Sequence, residues 1–297
     1  MQDATGGPIP LEPGLRLLRA PNPAPMTFTG TNTYILGEGR VAVIDPGPAL
    51  PAHLDAILAA LAPGETVSHI FVTHSHLDHS PLARPLSEAT GAPVLAFGGA
   101  FAGRSARMEE LARQGTFGGG EGIDLDFSPD EALVDGAIVS GEGWSLQAVH
   151  TPGHLGNHLC FAWGDRIFSG DHVMGWASSL VSPPDGDMGA YMESLARLAA
   201  LGASRLHPGH GDPVEDPADR IAFLTNHRRE RESQILAALE AGAADADALA
   251  RRIYTDTPAA LMGAATRNVL AHLLDLEDRN QISRNGTPGP GTIYRRM

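Results

Sequence analysis

Lysine is absent from this 297-residue chain: all 21 basic residues are arginine. A Schiff base or an amine nucleophile therefore has no candidate side chain. Cysteine is almost as scarce. The single thiol, Cys160, excludes an intramolecular disulfide, and it lies in the apolar run H-L-C-F-A-W, where a packed thiol is expected rather than a nucleophile. No apolar run approaches membrane-spanning length, and the first ten residues hold neither a positively charged nor an apolar segment. A soluble cytoplasmic protein, with no membrane partner, is the expectation. Positive charge is also in deficit: a formal charge of −14 and an isoelectric point near 5.3 argue against a general polyanion binder. The glycine-rich stretch from Gly98 to Asp130 lacks the G-x-x-x-x-G-K-[ST] order of a phosphate-cradling loop, so no nucleotide site is assigned to it. It reads as a mobile surface loop or part of a substrate rim, with a short helix from Arg104 to Gln114.

What the chain does hold is one dense run of metal-binding side chains. Thr73 to Ser80 reads T-H-S-H-L-D-H-S, and His74, His76, Asp78 and His79 place three imidazoles and a carboxylate within six positions. Borderline-soft nitrogen mixed with hard oxygen suits zinc, and iron or manganese as well. The run follows Val67 to Thr73, rich in β-branched and aromatic residues, which reads as a buried strand. Ser80-Pro81 reads as a helix start, with Ser as cap and Pro at the first helical position. The histidines are thus expected on a strand-to-helix loop at a sheet edge.

The surrounding texture alternates strands and helices. An early strand spans Leu15 to Arg19. Thr33 to Gly37 and Val41 to Asp45 flank a G-E-G-R turn as a hairpin, and Ala52 to Ala62 has helical spacing. Helix Pro81 to Thr90 and strand Ala92 to Phe97 continue a β-α-β order. Asp45, closing its strand, reads either as a turn residue or as a carboxylate that orients a metal ligand from behind. A second sheet is expected from Leu133 to Val139, Trp144 to His150, His158 to Trp163 and Arg166 to Ser169, followed by helix Met188 to Leu201 and a short strand near Arg205-Leu206. Three more candidates stand at strand ends in this half: His154 in T-P-G-H-L-G-N-H, Asp171 in F-S-G-D-H and His210 in H-P-G-H-G-D. Each sits beside Gly or Pro, as backbone approaching a buried site would.

In this order, H-x-H-x-D-H, T-P-G-H, S-G-D and P-G-H-G, the sequence resembles the metallo-β-lactamase superfamily from about Leu15 to Pro213. The resemblance implies an α/β fold, an αββα sandwich with a dinuclear metal site at one sheet edge. It implies that His74, His76 and His154 hold one divalent ion, that Asp78, His79 and His210 hold a second, and that Asp171 bridges them. Asp45 falls where the family has a supporting acid. Within the superfamily, T-N-T-Y-I-L and T-P-G-H-L-G-N-H resemble glyoxalase II-like and lactamase-like hydrolases.

After this core, Asp216-Pro217 reads as the cap and first residue of a long helix ending at Gly242. Two further helices, Asp245 to Tyr254 and Pro258 to Glu277, precede a small terminal hairpin. This tail resembles a winged-helix module, which divides the chain into a catalytic domain, 1–215, and a helical winged-helix-like domain, 216–297. From His227 onward the tail carries 10 Arg against 9 acidic residues, nearly neutral where a duplex-DNA reader would be basic.

The mechanism implied by the resemblance is attack by a hydroxide generated between two ions, zinc first and iron or manganese as alternatives, with Asp78 orienting the nucleophile or handling a proton. The leading expectation is hydrolysis of a small ester, thioester or lactone. The alternative is cleavage of single-stranded RNA, because the winged-helix tail and His158, in its G-N-H setting, resemble a lactamase-like endoribonuclease subgroup; His158 is then beside the substrate, or else packs within its strand. A DNA-binding regulator with a vestigial core is a third reading, opposed by the complete ligand set. Oligomeric state stays open, a homo-oligomer included.

Overall fold

The structure is a computed structural model that describes residues 7–115, 119–120, 122–289 and 291–297. Part of the glycine-rich stretch, and six of the N-terminal residues from which a cytoplasmic location was expected, lie outside the described residues. Among those described, no helix is long and apolar enough to cross a membrane.

The first half builds a sheet of seven strands in sequence order: β1 (Ile9–Glu12), β2 (Leu15–Arg19), β3 (Asn32–Leu36), β4 (Arg40–Ile44), β5 (Thr66–Phe71), β6 (Val94–Ala96) and β7 (Glu131–Ala132). Pairing is antiparallel up to β4 and parallel from β4 to β7. The parallel crossovers carry α1 (Pro51–Ala59), α2 (Ala83–Thr90) and α3 (Ala106–Gln114). The second half builds five strands, β8 (Ile138–Ser140), β9 (Ser145–His150), β10 (Leu159–Trp163), β11 (Arg166–Gly170) and β12 (Arg205–Pro208), with α4 (Met188–Leu201) crossing between the last two.

Period-two alternation decides how these layers stack. Leu17, Tyr34, Leu36, Ala42, Ile44 and Phe71 meet Leu146, Ala148, Phe161 and Phe168 of the other sheet. The alternate residues, Leu18, Ile35, Val41, Val43 and Ile70, pack with Ile57 of α1 and Leu86 of α2. On the far side Cys160 and Ile167 pack with Tyr191, Leu195 and Leu198 of α4. Two sheets face to face with helices outside make the expected αββα sandwich.

The tail is α5 (Pro217–Glu240), α6 (Ala246–Ile253), a 3₁₀ turn (Ala259–Leu261), α7 (Met262–Asp278) and the antiparallel pair β13 (Ile282–Arg284) and β14 (Tyr294–Arg296). Asp216 caps α5 by accepting from the Asp219 N–H at 3.0 Å, and Asp245 caps α6 by accepting from Ala248 at 2.8 Å. α5 belongs to two cores: Ile221 and Leu224 pack under the second sheet, whereas Ile235 and Leu239 pack with Leu249, Val269 and Leu273.

Three local expectations are corrected. α2 starts at Ala83, not at Pro81, and Ser80 does not cap it. The Ser80 hydroxyl is instead taken by Asp124 at 2.9 Å, and it is Pro85 that occupies the first helical turn, where a missing N–H costs nothing. Of the strand expected over Leu133 to Val139 only Ile138 and Val139 are in a strand, β8; the residues before them link β7 of one sheet to β8 of the other, and Asp135 and Gly136 turn the chain there, with Gly136 at φ 79°. Finally, Ile9–Glu12 forms an edge strand ahead of the one expected at Leu15 to Arg19, where no strand is expected. Its register comes from pairing with β2 and from Glu12, which Arg205 and His207 of the second sheet hold at 3.3 and 3.1 Å.

Candidate metal centre

The loops that follow β5 in the first sheet and β9, β11 and β12 in the second meet at one rim and carry the candidate ligands. Three ring nitrogens converge there. His74 Nε2 and His76 Nδ1 are 2.8 Å apart, His154 Nε2 is 3.1 Å from His76 Nδ1, and an Asp171 oxygen stands 3.7 Å from His154 Nε2. Beside them His79 Nε2 lies 3.3 Å from His210 Nε2, and an Asp78 oxygen lies 3.0 Å from His210 Nε2. The donor atoms of His74, His76, His154 and Asp171 fall within 4.8 Å of one another, and so do those of Asp78, His79 and His210. Asp171 reaches both groups, with one oxygen 3.4 Å from His79 and the other 3.4 Å from His210.

The rear of each ring explains why its front faces inward. Thr73 Oγ1 gives its hydrogen to Asp45 at 2.8 Å and so accepts from His74 Nδ1 at 2.9 Å. His79 Nδ1 donates to Asp45 Oδ2 at 2.9 Å, His154 Nδ1 to the Leu180 carbonyl at 2.7 Å, and His210 Nδ1 to the Gly30 carbonyl at 3.2 Å. With these nitrogens carrying the proton, Nε2 of all four rings presents a lone pair to the cluster.

The donor set fits divalent cations. Lone pairs packed this closely repel, and a tetrahedral ion with ligand bonds of about 2.0–2.1 Å spaces its ligand atoms by roughly 3.3 Å. Asp171 Oδ1 is buried with no hydrogen-bond donor. Burial and neighbouring rings push His74 well below the usual imidazole range and His76 down to about 3. Burial lowers His79 and His210 too, but the carboxylates of Asp78, Asp171 and Asp45 outweigh it at His79, and those of Asp171 and Asp78 at His210. The first is raised well above its ordinary value and the second to about 9. One group is thus neutral nitrogen beside a carboxylate, while the other draws positive charge, a demand a divalent ion meets.

Close backbone approach requires glycine at two of the motifs. A Cβ on Gly209 would stand 2.5 Å from Asp171 Oδ1 and 2.6 Å from His79 Cε1. One on Gly170, at φ 48°, would stand 2.6 Å from His158 Nε2.

The seven expected ligands therefore meet, and Asp45 touches one of them, His79, and also Thr73, which stands behind His74. Of the two readings of His158, the geometry is that of the packed one. His158 is fully buried under Asp171, its Nε2 accepting from the Asp171 N–H at 3.2 Å and its Nδ1 facing Thr151 Oγ1 at 2.9 Å, so no surface of it faces a substrate. It stands just before β10, with its ring 5.1 Å from that of His74 and 5.7 Å from that of His172. Sequence reasoning missed the residues behind the ligands, Thr73, Gly30 and Leu180; two act through main-chain carbonyls, which leave no mark on residue type. A cavity of about 370 Å³ opens beside His76 and His154, lined also by Met26, Leu180, Ala264 and Arg267.

Residues 26–210 match the metallo-beta-lactamase superfamily, and residues 246–291 match the beta-lactamase associated winged helix domain. A beta-lactamase-like protein 2 homolog of Drosophila melanogaster is 31% identical over 270 residues, 88% of this chain and 87% of that protein. An atrochrysone carboxyl ACP thioesterase of Aspergillus fumigatus is 31% identical over 230 residues, 74% of this chain but only 62% of the fungal protein. The crystal structure of a metallo-beta-lactamase family protein from Thermus thermophilus superposes with a TM-score of 0.77 at 27% identity, covering 97% of this chain and all of that one.

Proposed function

The chain belongs to the metallo-beta-lactamase superfamily and is a metal-dependent hydrolase with a winged-helix domain behind its catalytic sandwich, and from that premise we propose that it cleaves a small ester, thioester or lactone. In this reading His74, His76 and His154 hold one divalent ion, Asp78, His79 and His210 hold a second, and Asp171 lies between them. Zinc is the ion we favour for a site of five imidazoles and two carboxylates, with iron and manganese as alternatives. Bound divalent ions supply Lewis acidity, lowering the pKa of coordinated water toward about 7 and drawing charge from a carbonyl or phosphoryl oxygen.

The chain's own groups do the rest. Asp45 holds His79 from behind and, through Thr73, also holds His74. His76 and Asp78 are the members of the cluster that reach the surface, so Asp78 is the carboxylate suited to orient an attacking water and take its proton. The cavity beside His76 admits a small acyl group against Met26, Leu180 and Ala264. Residues 1–215 are in this reading the catalytic part and 216–297 the part that closes over it.

One observation carries the proposal: seven side chains from four separate stretches meet in two adjoining groups joined by Asp171. The thioesterase among the relatives favours the acyl branch. The test is a panel of acyl thioesters, esters, lactones and single-stranded RNA offered to protein loaded with zinc, iron or manganese. Turnover of an acyl substrate, abolished by chelation and by Asp171→Ala, is expected. Cleavage of RNA alone replaces the proposal with the endoribonuclease reading, and turnover indifferent to chelation overturns both.

A further inference from the structure

Between β11 and α4 the chain passes the metal-facing cluster as a loop, and three consecutive residues of it, 179–181, touch both that cluster and the C-terminal helices. On the inner side, the Leu180 carbonyl accepts from His154 Nδ1 at 2.7 Å. The Ser179 hydroxyl is shared between the Asp171 carbonyl and the His172 carbonyl, the latter at 2.9 Å. On the outer side, Asn268 of α7 takes the Val181 N–H on Oδ1 at 3.1 Å, and the same oxygen accepts from Arg228 Nη1 of α5 at 3.2 Å. Arg228 Nη2 donates to the Ser179 carbonyl.

Arg228 is an expensive residue to place there. It is 1% exposed, its Nε has no acceptor, and its guanidinium rests over the Tyr191 ring at 5.1 Å. Among the described residues no carboxylate pairs with it, so a full charge is buried against neutral oxygens and a ring. Simple packing between α5 and the sandwich would be served better by an apolar side chain of that volume. What the guanidinium adds is a fixed fork of donors, one prong on the loop and one on the residue that holds the loop's next N–H.

We propose that Arg228 and Asn268 are positioning residues for the metal centre: from the C-terminal helices they clamp residues 179–181, which in turn fix the tautomer of His154 and the main chain of Asp171. The proposal rests on the two-ion reading above. It makes the winged-helix part a structural member of the hydrolytic site. His154 cannot keep Nε2 aimed inward unless the Leu180 carbonyl stays in place to take its other proton, and Asp171, which faces both groups, shifts with the Ser179 hydroxyl.

The test is zinc affinity, read by competition with a chromophoric chelator, together with elemental metal content. Asn268→Leu, similar in volume and without an acceptor, is expected to bind zinc 10–100-fold more weakly, as loss of an outer partner of a ligand does. Asn268→Asp, which keeps both acceptor contacts, is expected to restore affinity to near the wild-type value. Leu273→Ala loosens the tail core in which that side chain packs and serves as the stability control, with affinity unchanged. The clamp is refuted if Asn268→Leu binds zinc as the wild type does, or if Leu273→Ala weakens binding equally. A wild-type protein that takes up no metal refutes the two-ion reading and the clamp with it.

Discussion

Asp45 Oδ2 and His79 Nδ1 lie 2.9 Å apart across 34 positions of sequence. That contact joins the end of β4 to the loop after β5, and Asp45 adopts φ 51°, a left-handed conformation few non-glycine residues take, to make it. Asp45 also accepts from the Thr73 N–H at 2.7 Å, so one carboxylate orders the base of the whole histidine loop. Asp45→Asn keeps the shape and reverses one hydrogen-bonding edge. Metal affinity of this variant is expected to fall about 10- to 100-fold, and chelator titration of wild type and variant side by side checks it. Unchanged affinity would remove Asp45 from the site.

Gly209→Ala tests how tightly backbone and ligands are packed. The added methyl has nowhere to go except toward Asp171 and His79, at 2.5 and 2.6 Å. A displacement of roughly 1 Å at a reacting centre costs on the order of 100-fold in rate, and a loss of that size in kcat/KM is expected with the protein still folded by circular dichroism. Wild-type turnover in this variant would show that the cluster tolerates displacement and carries no catalysis.

His272, in α7, is buried with neither ring nitrogen bonded, and burial together with Arg228 and Arg279 pushes it down to about 3. An unfolded chain protonates this ring near pH 6.5, so as pH drops from about 6.5 toward 3 the unfolded state binds a proton that the folded state refuses. Stability must therefore fall with falling pH, by up to about 1.4 kcal/mol per pH unit from this residue. His272→Leu should lose that slope: its urea midpoint is expected to gain on the wild type between pH 7 and pH 5. Parallel midpoints across that range would contradict the assignment.

Cys160, fully buried with its thiol pushed up to about 12 by burial, offers a check on the absence of a thiol nucleophile. A thiol reagent at pH 8 is expected to react with native protein far more slowly than with the denatured chain, where one equivalent reacts. Cys160→Ala should keep turnover within a few-fold while losing about 1 kcal/mol of stability. A collapse of turnover in a stably folded variant would return Cys160 to the list of reacting groups.

Much of the site was legible because its ligands are short-range. His74, His76, Asp78 and His79 crowd one loop, and His154, Asp171 and His210 each follow a strand and stand next to glycine. His158 stayed open between two readings for the complementary reason: its neighbours mark a motif, but only the folded chain puts its ring beneath the Asp171 N–H. Glu12 gave no signal, since an isolated carboxylate near an N-terminus does not announce the arginines and histidine of another sheet that will close on it.

Sequence by itself determined which side chains can bind metal, the alternation that gives each strand its two faces, and the caps that start α5 and α6, because these are properties of residue type and of spacing within a few positions. Only the tertiary structure decided which ring nitrogen faces inward, that Asp171 reaches both groups, and that Arg228 and Asn268 hold the loop behind His154. Those outcomes depend on main-chain carbonyls and on contacts as much as 180 positions apart, as between His210 and Gly30. Folding brings such groups together through the summed packing of two sheets, which no local stretch of sequence encodes.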